Sequence, residues 1–316
     1  HIIYAKKQPG ESPGYGLVIG HNISRKFKGV STMARMKKRV IRSGGMLEVN
    51  YYPVTVTGEK IPNEQPKHKP RSKKQIEEAN RRQAVKKFVR IINTNFGPED
   101  YFVTLTYNED FAPLTLEQAE KDITKFFNRV KYHIKKNGGN PKKFKYAYTP
   151  QVVTYKTGIY AGLQNYHFHI FMSNADMSTE EIKSLWKFGT KGSIEHYDPY
   201  RFGPEAAAKY MSRNFVGKKM YRCSRNMDKP IIEEEKNACI SASKVEELGR
   251  NRCDDAHYWE KKYPSYSFMR MDKVYNEINS CWYLNVVMYK KPTKNNSSYY
   301  EKSRRASLEY AHINKK

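Results

Sequence analysis

Two histidines separated by one residue combine residue type and spacing in a way that favours chemistry. His167-Phe168-His169 lies in a predicted strand, where side chains alternate, so both imidazoles share one face and Phe168 points to the other. Two imidazoles at this spacing can hold one divalent ion and leave coordination positions open. Such an ion polarises a phosphate oxygen and orients the ester for in-line attack. Ordinary hydrogen-bonded histidines on a sheet face fit the same pattern, so the pair needs support from its neighbours.

Polar side chains in two other predicted strands could complete such a site. Thr104 and Thr106 share one face of a strand and could contact the phosphates of a nucleic acid, although threonine is also common in strands for its shape alone. Gln151 follows Tyr148-Thr149-Pro150, where a third ligand, an amide oxygen, would be placed. A surface amide at a sheet edge is the other interpretation of Gln151.

A tyrosine on a predicted helix is a candidate nucleophile. Tyr210 lies in the segment 203–214, which Gly203-Pro204-Glu205 opens as a helix. A phenol is a poor nucleophile at its ordinary pKa of about 10, so it needs a nearby cation or a polarised electrophile. Lys209 and Arg213 would supply positive charge. The chain has 25 tyrosines, and the nearest rivals are Tyr197 and Tyr200.

The elements that must position these residues follow the order β-α-β-β-α-β and then a further helix. The predicted strands are 101–107, 144–156, 166–172 and 193–197; the helices between them begin at Thr115 with Gln118 and at Ser178 with Glu181, both capping-box pairs. This order predicts an α+β fold, a ferredoxin-like split βαβ with an antiparallel sheet and helices on one face. We expect a basic N-terminal arm over 1–71, the catalytic domain over 72–230, and a C-terminal extension over 231–316 with a late strand at 281–289.

The charge balance points to a polyanionic partner. The chain carries 58 Lys and Arg against 32 Asp and Glu, a formal net charge of +26. Basic residues interleaved with aromatics suit single-stranded or hairpin DNA. A solvated, solubilising face explains part of the same charge. The candidate DNA-binding residues are Arg81, Arg82, Lys86, Lys87 and Arg90 on a predicted helix over 72–95, with Arg35, Lys37, Lys38 and Arg39 in the arm.

Several other classes of protein are disfavoured. No apolar run is long enough to cross a membrane, and no signal-peptide pattern opens the chain, so we expect a cytoplasmic protein of a bacterial cell. The first residue is His1, so we expect a trimmed or processed start. The four cysteines form no CxxC pair, which argues against a zinc ribbon and for free thiols. No P-loop motif is present, so no helicase is fused to this chain.

Three motifs in order resemble those of HUH endonucleases. They are Phe-Val-Thr-Leu-Thr-Tyr (102–107), Tyr-His-Phe-His-Ile-Phe-Met (166–172) and Ala-Ala-Lys-Tyr-Met-Ser-Arg (207–213). More narrowly, the chain resembles the rolling-circle replication-associated proteins of bacterial plasmids and filamentous-type phages. The flanking pieces 93–98, 224–230 and 275–279 are similar to that group as well, and the resemblance spans about residues 72–290.

The resemblance implies a set of roles. His167 and His169 would bind Mg²⁺ or Mn²⁺, and Tyr210 would attack the scissile phosphate, leaving a 5′-phosphotyrosyl link and a free 3′-OH. Origin DNA, a host helicase and a polymerase would be its partners. The sequence departs from the family in two places. Gln151 stands where an acid is usual, and Tyr210-Met-Ser-Arg213 stands for Tyr-x-x-Lys, with a planar fork better suited to phosphate. Asn214 replaces the second tyrosine of some relatives, which implies a one-tyrosine enzyme.

Three alternatives stay open at this point. A relaxase or a single-strand transposase would use the same chemistry for transfer or transposition. A basic DNA- or RNA-binding protein would keep the histidine pair as a structural feature. A zinc hydrolase would act on other substrates, and the basic surface argues against it.

Overall fold

The computed structural model describes residues 35–54, 72–154, 162, 164–189, 192–198, 203–276 and 281–291. They all belong to one compact unit, Ala34–Lys316. Most of the predicted arm, the predicted tail after 291 and the rival nucleophile Tyr200 lie outside the described residues.

The described residues form ten strands and six α-helices. The strands are β1 (Arg35–Ser43), β2 (Met46–Val54), β3 (Tyr101–Thr106), β4 (Tyr146–Thr154), β5 (Gln164–Met172), β6 (Gly192–His196), β7 (Arg222–Cys223), β8 (Ile231–Ile240), β9 (Tyr266–Asn276) and β10 (Cys281–Lys290). The helices are α1 (Lys73–Asn95), α2 (Leu116–Lys136), α3 (Thr179–Leu185), α4 (Gly203–Met211), α5 (Ala242–Asn251) and α6 (Ala256–Lys262).

The first sheet contains the strands of the three motifs. Its order is β6-β3-β5-β4-β7, and every pair of neighbours is antiparallel. Consequently β3 and β4 run in the same direction with β5 between them, and β5 and β6 run in the same direction with β3 between them. The prediction of a mixed α+β fold with an antiparallel sheet is confirmed.

Helices α2 and α3 cover one face of the first sheet. Helix α2 begins at the predicted N-cap, where Thr115 Oγ1 accepts from the backbone N–H of Gln118 at 3.3 Å. Its apolar residues recur at helical spacing and are buried: Ala119, Ile123, Phe126, Phe127, Val130 and Ile134. They pack in one cluster with Val103, Phe168 and Ile170 from the sheet and Ile182 from α3.

Helices α1 and α4 cover the other face. Phe88, Val89 and Ile92 of α1 and Ala208 of α4 pack in one cluster that includes Phe171. The expectation of helices on one face alone is therefore wrong. The reason is that Phe171, which alternation places opposite Ile170, is large, apolar and fully buried, so this face also requires a covering layer.

The second sheet has the order β8-β1-β2-β10-β9. Strands β1 and β2 come from the segment predicted as an arm, and β8, β9 and β10 come from the predicted C-terminal extension. Helices α5 and α6 pack on one face around Trp259, which is fully buried. On the other face, Met46 and Val287 join the cluster of α1 and α4, so these two helices lie between the sheets.

Two ion pairs connect these helices to the second sheet. Arg90 of α1 donates to both carboxylate oxygens of Glu48 on β2, at 2.6 and 3.0 Å. Arg270 of β9 donates to both carboxylate oxygens of Glu205 on α4, at 2.9 Å each. In the part of the chain that the structure describes, no helix is both long enough and apolar enough to cross a membrane.

Candidate functional site

Strand register brings the predicted polar residues together on the face that α1 and α4 cover. Strand β5 lies between β3 and β4, so each of its residues has a neighbour on both sides. One row across the three strands is Thr106, His167 and Gln151. The next row is Thr104, His169 and Thr149. Residues from three separate segments of the sequence thus form a compact polar patch.

The two imidazoles are adjacent and largely removed from water. Their ring centroids lie 5.1 Å apart with an interplanar angle of 87°. Burial lowers the pKa of His169 to about 4, and the neighbouring His167 contributes to the same shift. Burial also lowers the pKa of His167, against a hydrogen bond from the Asn165 backbone that raises it. Both rings are therefore neutral at physiological pH, the form that coordinates metal ions.

The two ring nitrogens of His169 have different surroundings. Its Nδ1 lies 3.1 Å from Thr104 Oγ1. Its Nε2 is buried and has no hydrogen-bond partner among the described residues, and the same holds for Thr149 Oγ1 in the same row. Thr104, predicted to contact phosphate, is thus in contact with a histidine. A buried imidazole nitrogen without a hydrogen bond is costly, which makes it a good candidate for a ligand atom.

Gln151 lies inside the protein, not on a surface edge. It is 3% exposed, and its Nε2 donates to the backbone oxygen of Met211 at 3.0 Å. A backbone carbonyl can only accept, so the amide nitrogen must face Met211 and the oxygen remains as the acceptor. The isolated bridge between Gln151 and Phe215 holds the chain after α4 beside β4.

Tyr210 is the tyrosine that the structure brings to the histidine pair. Its ring centroid lies 4.9 Å from that of His169, at an interplanar angle of 63°. The residue is 49% exposed, so a substrate can reach it. Its rival Tyr197 is 5% exposed and packs edge-on against Phe171 in the core.

The cations predicted to assist Tyr210 occupy other places. Helix α4 ends at Met211, not at Asn214, because the following residues turn toward the edge of β4. Arg213 is therefore on an exposed turn. Lys209 lines a cavity of about 190 Å³ between α1, α4 and the second sheet, together with Lys86, Glu48, Glu205 and Arg270.

The candidate DNA-binding residues of α1 divide into two groups. Arg82, Lys86 and Lys87 are exposed. Arg90 is engaged by Glu48, and Arg81 donates to the backbone oxygens of Ser212 and Arg213 after α4. Lys218 and Lys219 are exposed beyond that turn, and sequence reasoning missed them although two adjacent lysines were a visible signal.

The donor set for a metal ion is limited. Within the described ranges, no three His, Cys, Asp or Glu side chains come close enough to hold an ion. Two imidazoles and a neutral oxygen, from Gln151 or Thr149, are the donors that the polar patch offers. Such a set suits a divalent ion that keeps part of its coordination shell for water or substrate.

Comparison with known families gives one match. Residues 100–215 match the family model of the replication-associated protein ORF2. The match runs from the residue before β3 to the turn after α4, so it contains every element of the polar patch and Tyr210. It supports a replication-associated protein of the Rep type. Comparisons with curated proteins and with solved structures gave no match.

Proposed function

We propose that this chain is a metal-dependent HUH-type DNA endonuclease and strand transferase that initiates rolling-circle replication. The observation that carries the proposal is the contact between Tyr210 and His169, with His167 beside it on the same sheet face. An exposed phenol next to two neutral imidazoles is the combination that a phosphotyrosyl mechanism requires. The family match supports the role in replication.

The order of strands in the first sheet supports the same proposal. Counted within the β3-α2-β4-β5-α3-β6 segment, the spatial order is fourth, first, third, second. We propose that this segment is a ferredoxin-like split βαβ core of the HUH type, in which the first and third strands lie side by side at the centre. That arrangement places the threonines of β3 next to the histidines of β5.

His167 and His169 would hold Mg²⁺ or Mn²⁺, with Gln151 as a third, neutral ligand. The residues fit this role, because His169 Nε2 is buried without a hydrogen bond among the described residues and Gln151 is in register with His167. The bound ion supplies charge that polarises the scissile phosphate. An amide oxygen in place of a carboxylate leaves the site one negative charge short, which predicts weaker metal binding than an acidic ligand would give.

In the proposed reaction, the Tyr210 oxygen forms a bond to phosphorus while the bond from phosphorus to the 3′-oxygen breaks. The phenol proton passes to water, and the leaving 3′-oxygen takes up a proton. The products are a 5′-phosphotyrosyl link on Tyr210 and a free 3′-OH, from which a host polymerase would extend. Because an ester replaces an ester, the strand can later be rejoined.

The experiment that tests the proposal detects the covalent link. Overlapping single-stranded oligonucleotides from the genetic element that encodes the chain would be incubated with the protein in Mn²⁺ or in EDTA. We expect a Tyr210–oligonucleotide adduct by mass spectrometry in Mn²⁺ only. Tyr210→Phe should abolish it, and Tyr132→Phe, at a tyrosine 70% exposed on α2, should not. Equal behaviour of wild type and Tyr210→Phe, with DNA bound but uncut, would leave a non-enzymatic nucleic-acid-binding protein.

A relaxase or a single-strand transposase would give the same adduct. The polar patch serves all three roles equally, so the choice rests on the family match. Supplying the gene to its element and scoring replication, conjugation or transposition distinguishes them.

A further inference from the structure

The end of helix α4 carries backbone oxygens that the helix itself cannot satisfy. In any α-helix the last four carbonyls have no intrahelical donor, and they form the negative end of the helix dipole. In α4 these carbonyls lie at or next to Tyr210. Hydrogen bonds within the turn reach only some of them: Ser212 Oγ donates to Lys209 O at 2.8 Å, and Arg213 N donates to Tyr210 O at 3.1 Å.

Gln151 satisfies the next carbonyl from the sheet. Its Nε2 lies 3.0 Å from Met211 O and 3.5 Å from Tyr210 O, and the residue is 3% exposed. A buried amide with this contact connects β4, in register with His167, directly to the helix of the nucleophile.

Arg81 satisfies the carbonyls beyond it from helix α1. The side chain donates to Ser212 O and Arg213 O across more than 130 residues of sequence. A guanidinium at the C-terminal end of a helix also neutralises the negative end of the helix dipole. Its neighbour Arg82 is exposed and makes no such contact with the described residues.

We infer that Gln151 and Arg81 are positioning residues that hold the C-terminal end of α4 and so fix the Tyr210 ring beside His169. This inference rests on the proposed function and deepens it. Both residues were expected in other roles, as a metal ligand and as a DNA contact. A phenol must lie within a few tenths of an ångström of its in-line position, so a helix end held by two separate elements contributes to rate, not to binding.

Gln151→Glu separates positioning from metal binding. A carboxylate is the stronger metal ligand, but it cannot donate to Met211 O and it is repelled by the negative end of the helix. We expect Mn²⁺ affinity, measured by calorimetry without DNA, to stay equal or rise, while the rate of adduct formation at saturating Mn²⁺ falls by about ten- to a hundredfold. Gln83→Glu, on the exposed face of α1, is the charge-matched control. If Gln151→Glu raises affinity and rate together, Gln151 is a metal ligand only and the inference is wrong.

Arg81→Gln tests the other contact, with Arg82→Gln as its control. A positioning role predicts that Arg81→Gln lowers the single-turnover rate about tenfold or more, while its Kd for DNA and its salt dependence match those of wild type. Arg82→Gln should instead weaken DNA binding at an unchanged rate. Arg81→Lys, which keeps the charge and one donor, should recover part of the rate. If Arg81→Gln and Arg82→Gln both weaken binding and leave the rate unchanged, Arg81 is a phosphate contact.

A readout without DNA distinguishes failure of this inference from failure of the proposed function. Fluorotyrosine NMR of the protein, with the Tyr210 signal assigned by Tyr210→Phe, reports the position of the ring against His169. We expect Gln151→Glu and Arg81→Gln to shift and broaden that signal, and the two control variants to leave it unchanged. An unchanged Tyr210 signal in both variants overturns the inference, whether or not the wild type forms an adduct.

Discussion

At the scale of single residues, the site depends on which nitrogen of each histidine is available. Thr104 Oγ1 lies 3.1 Å from His169 Nδ1, so a proton on Nδ1 leaves Nε2 with a lone pair. The buried Nε2, without a hydrogen bond among the described residues, is then the ligand atom. A hydroxyl that fixes the tautomer of a metal-binding histidine raises the affinity of the site although it does not touch the ion.

Thr104→Val should therefore weaken metal binding without removing a ligand. The substitution keeps the shape of the side chain and deletes its oxygen, so His169 is free to adopt the other tautomer. We expect Mn²⁺ affinity, measured by calorimetry, to fall by about 10- to 100-fold. Thr104→Ser keeps the hydroxyl and should bind nearly as well as wild type. Equal affinities for the valine and serine variants would show that the hydroxyl does not orient His169.

Residue-scale predictions from sequence succeeded where the signal was local and failed where a partner was distant. The alternation around His167 and His169 was sufficient to place both rings on one face. The contact of Gln151 with Met211 joins residues 60 positions apart, and that of Arg81 with Ser212 joins residues 131 apart. No local pattern encodes such pairs, so an amide and a guanidinium were assigned by type alone.

At the scale of elements, capping and periodicity predicted the helices, and long-range pairing did not follow from them. Ser72 with Gln75 and Ser178 with Glu181 form complete capping boxes at the starts of α1 and α3. Strands β1 and β2 pair with each other locally, but their other neighbours are β8 and β10, near the far end of the chain. Their short alternating segments do not reveal a sheet completed by strands so distant in sequence.

Strand β6 approaches β3 closely at a glycine next to the site. Gly192 has φ +150°, and a Cβ there would overlap the backbone oxygen of Thr104. We expect Gly192→Ala to lower the free energy of unfolding by about 1–3 kcal/mol, the usual cost of overpacking, and to move Thr104 relative to His169. Gly45→Ala is the matched control, because a Cβ at that turn meets nothing within 4 Å. Urea unfolding measures both variants; an equal midpoint for the two would contradict the close approach.

The first turn of α4 is held to the second sheet by a bidentate ion pair. Glu205 accepts two hydrogen bonds from Arg270, and the two side chains are 29% and 32% exposed. Glu205→Gln should lower the free energy of unfolding by about 1–3 kcal/mol, because Arg270 loses a charged partner where solvent replaces it poorly. Glu246→Gln breaks an exposed pair with Arg250 within one helix and should cost at most about 0.5 kcal/mol. Similar urea midpoints for the two variants would show that the pair at Glu205 adds nothing.

At the scale of the whole molecule, two sheets enclose the pair of helices that carries the nucleophile and the basic surface. Met46 and Val287 of the second sheet and Phe171 of the first belong to the same buried cluster as α1 and α4. The family match stops at residue 215, so it contains the first sheet up to β6 but none of the second sheet. We infer that the second sheet supports α1 and α4 from behind while the first sheet supplies the polar patch.

The net charge of +26 does not act uniformly, and salt dependence will separate DNA contacts from internal ion pairs. Arg82, Lys86 and Lys87 are exposed on α1, whereas Arg90 is 20% exposed and paired with Glu48. Each phosphate contact on single-stranded DNA contributes about 0.7 to the slope of log K against log salt concentration. We expect Arg82→Ala and Lys87→Ala each to reduce the slope by about that amount with little change in stability.

Arg90→Ala should do the reverse. It leaves the buried carboxylate of Glu48 without its partner, so the unfolding midpoint in urea falls while the salt slope stays at the wild-type value. Fluorescence anisotropy with a labelled oligothymidine across a salt series measures the slopes, and the same protein preparations serve for urea unfolding. A lower slope in Arg90→Ala at unchanged stability would mean that Arg90 leaves Glu48 to bind phosphate, and that the charge of α1 acts as one surface.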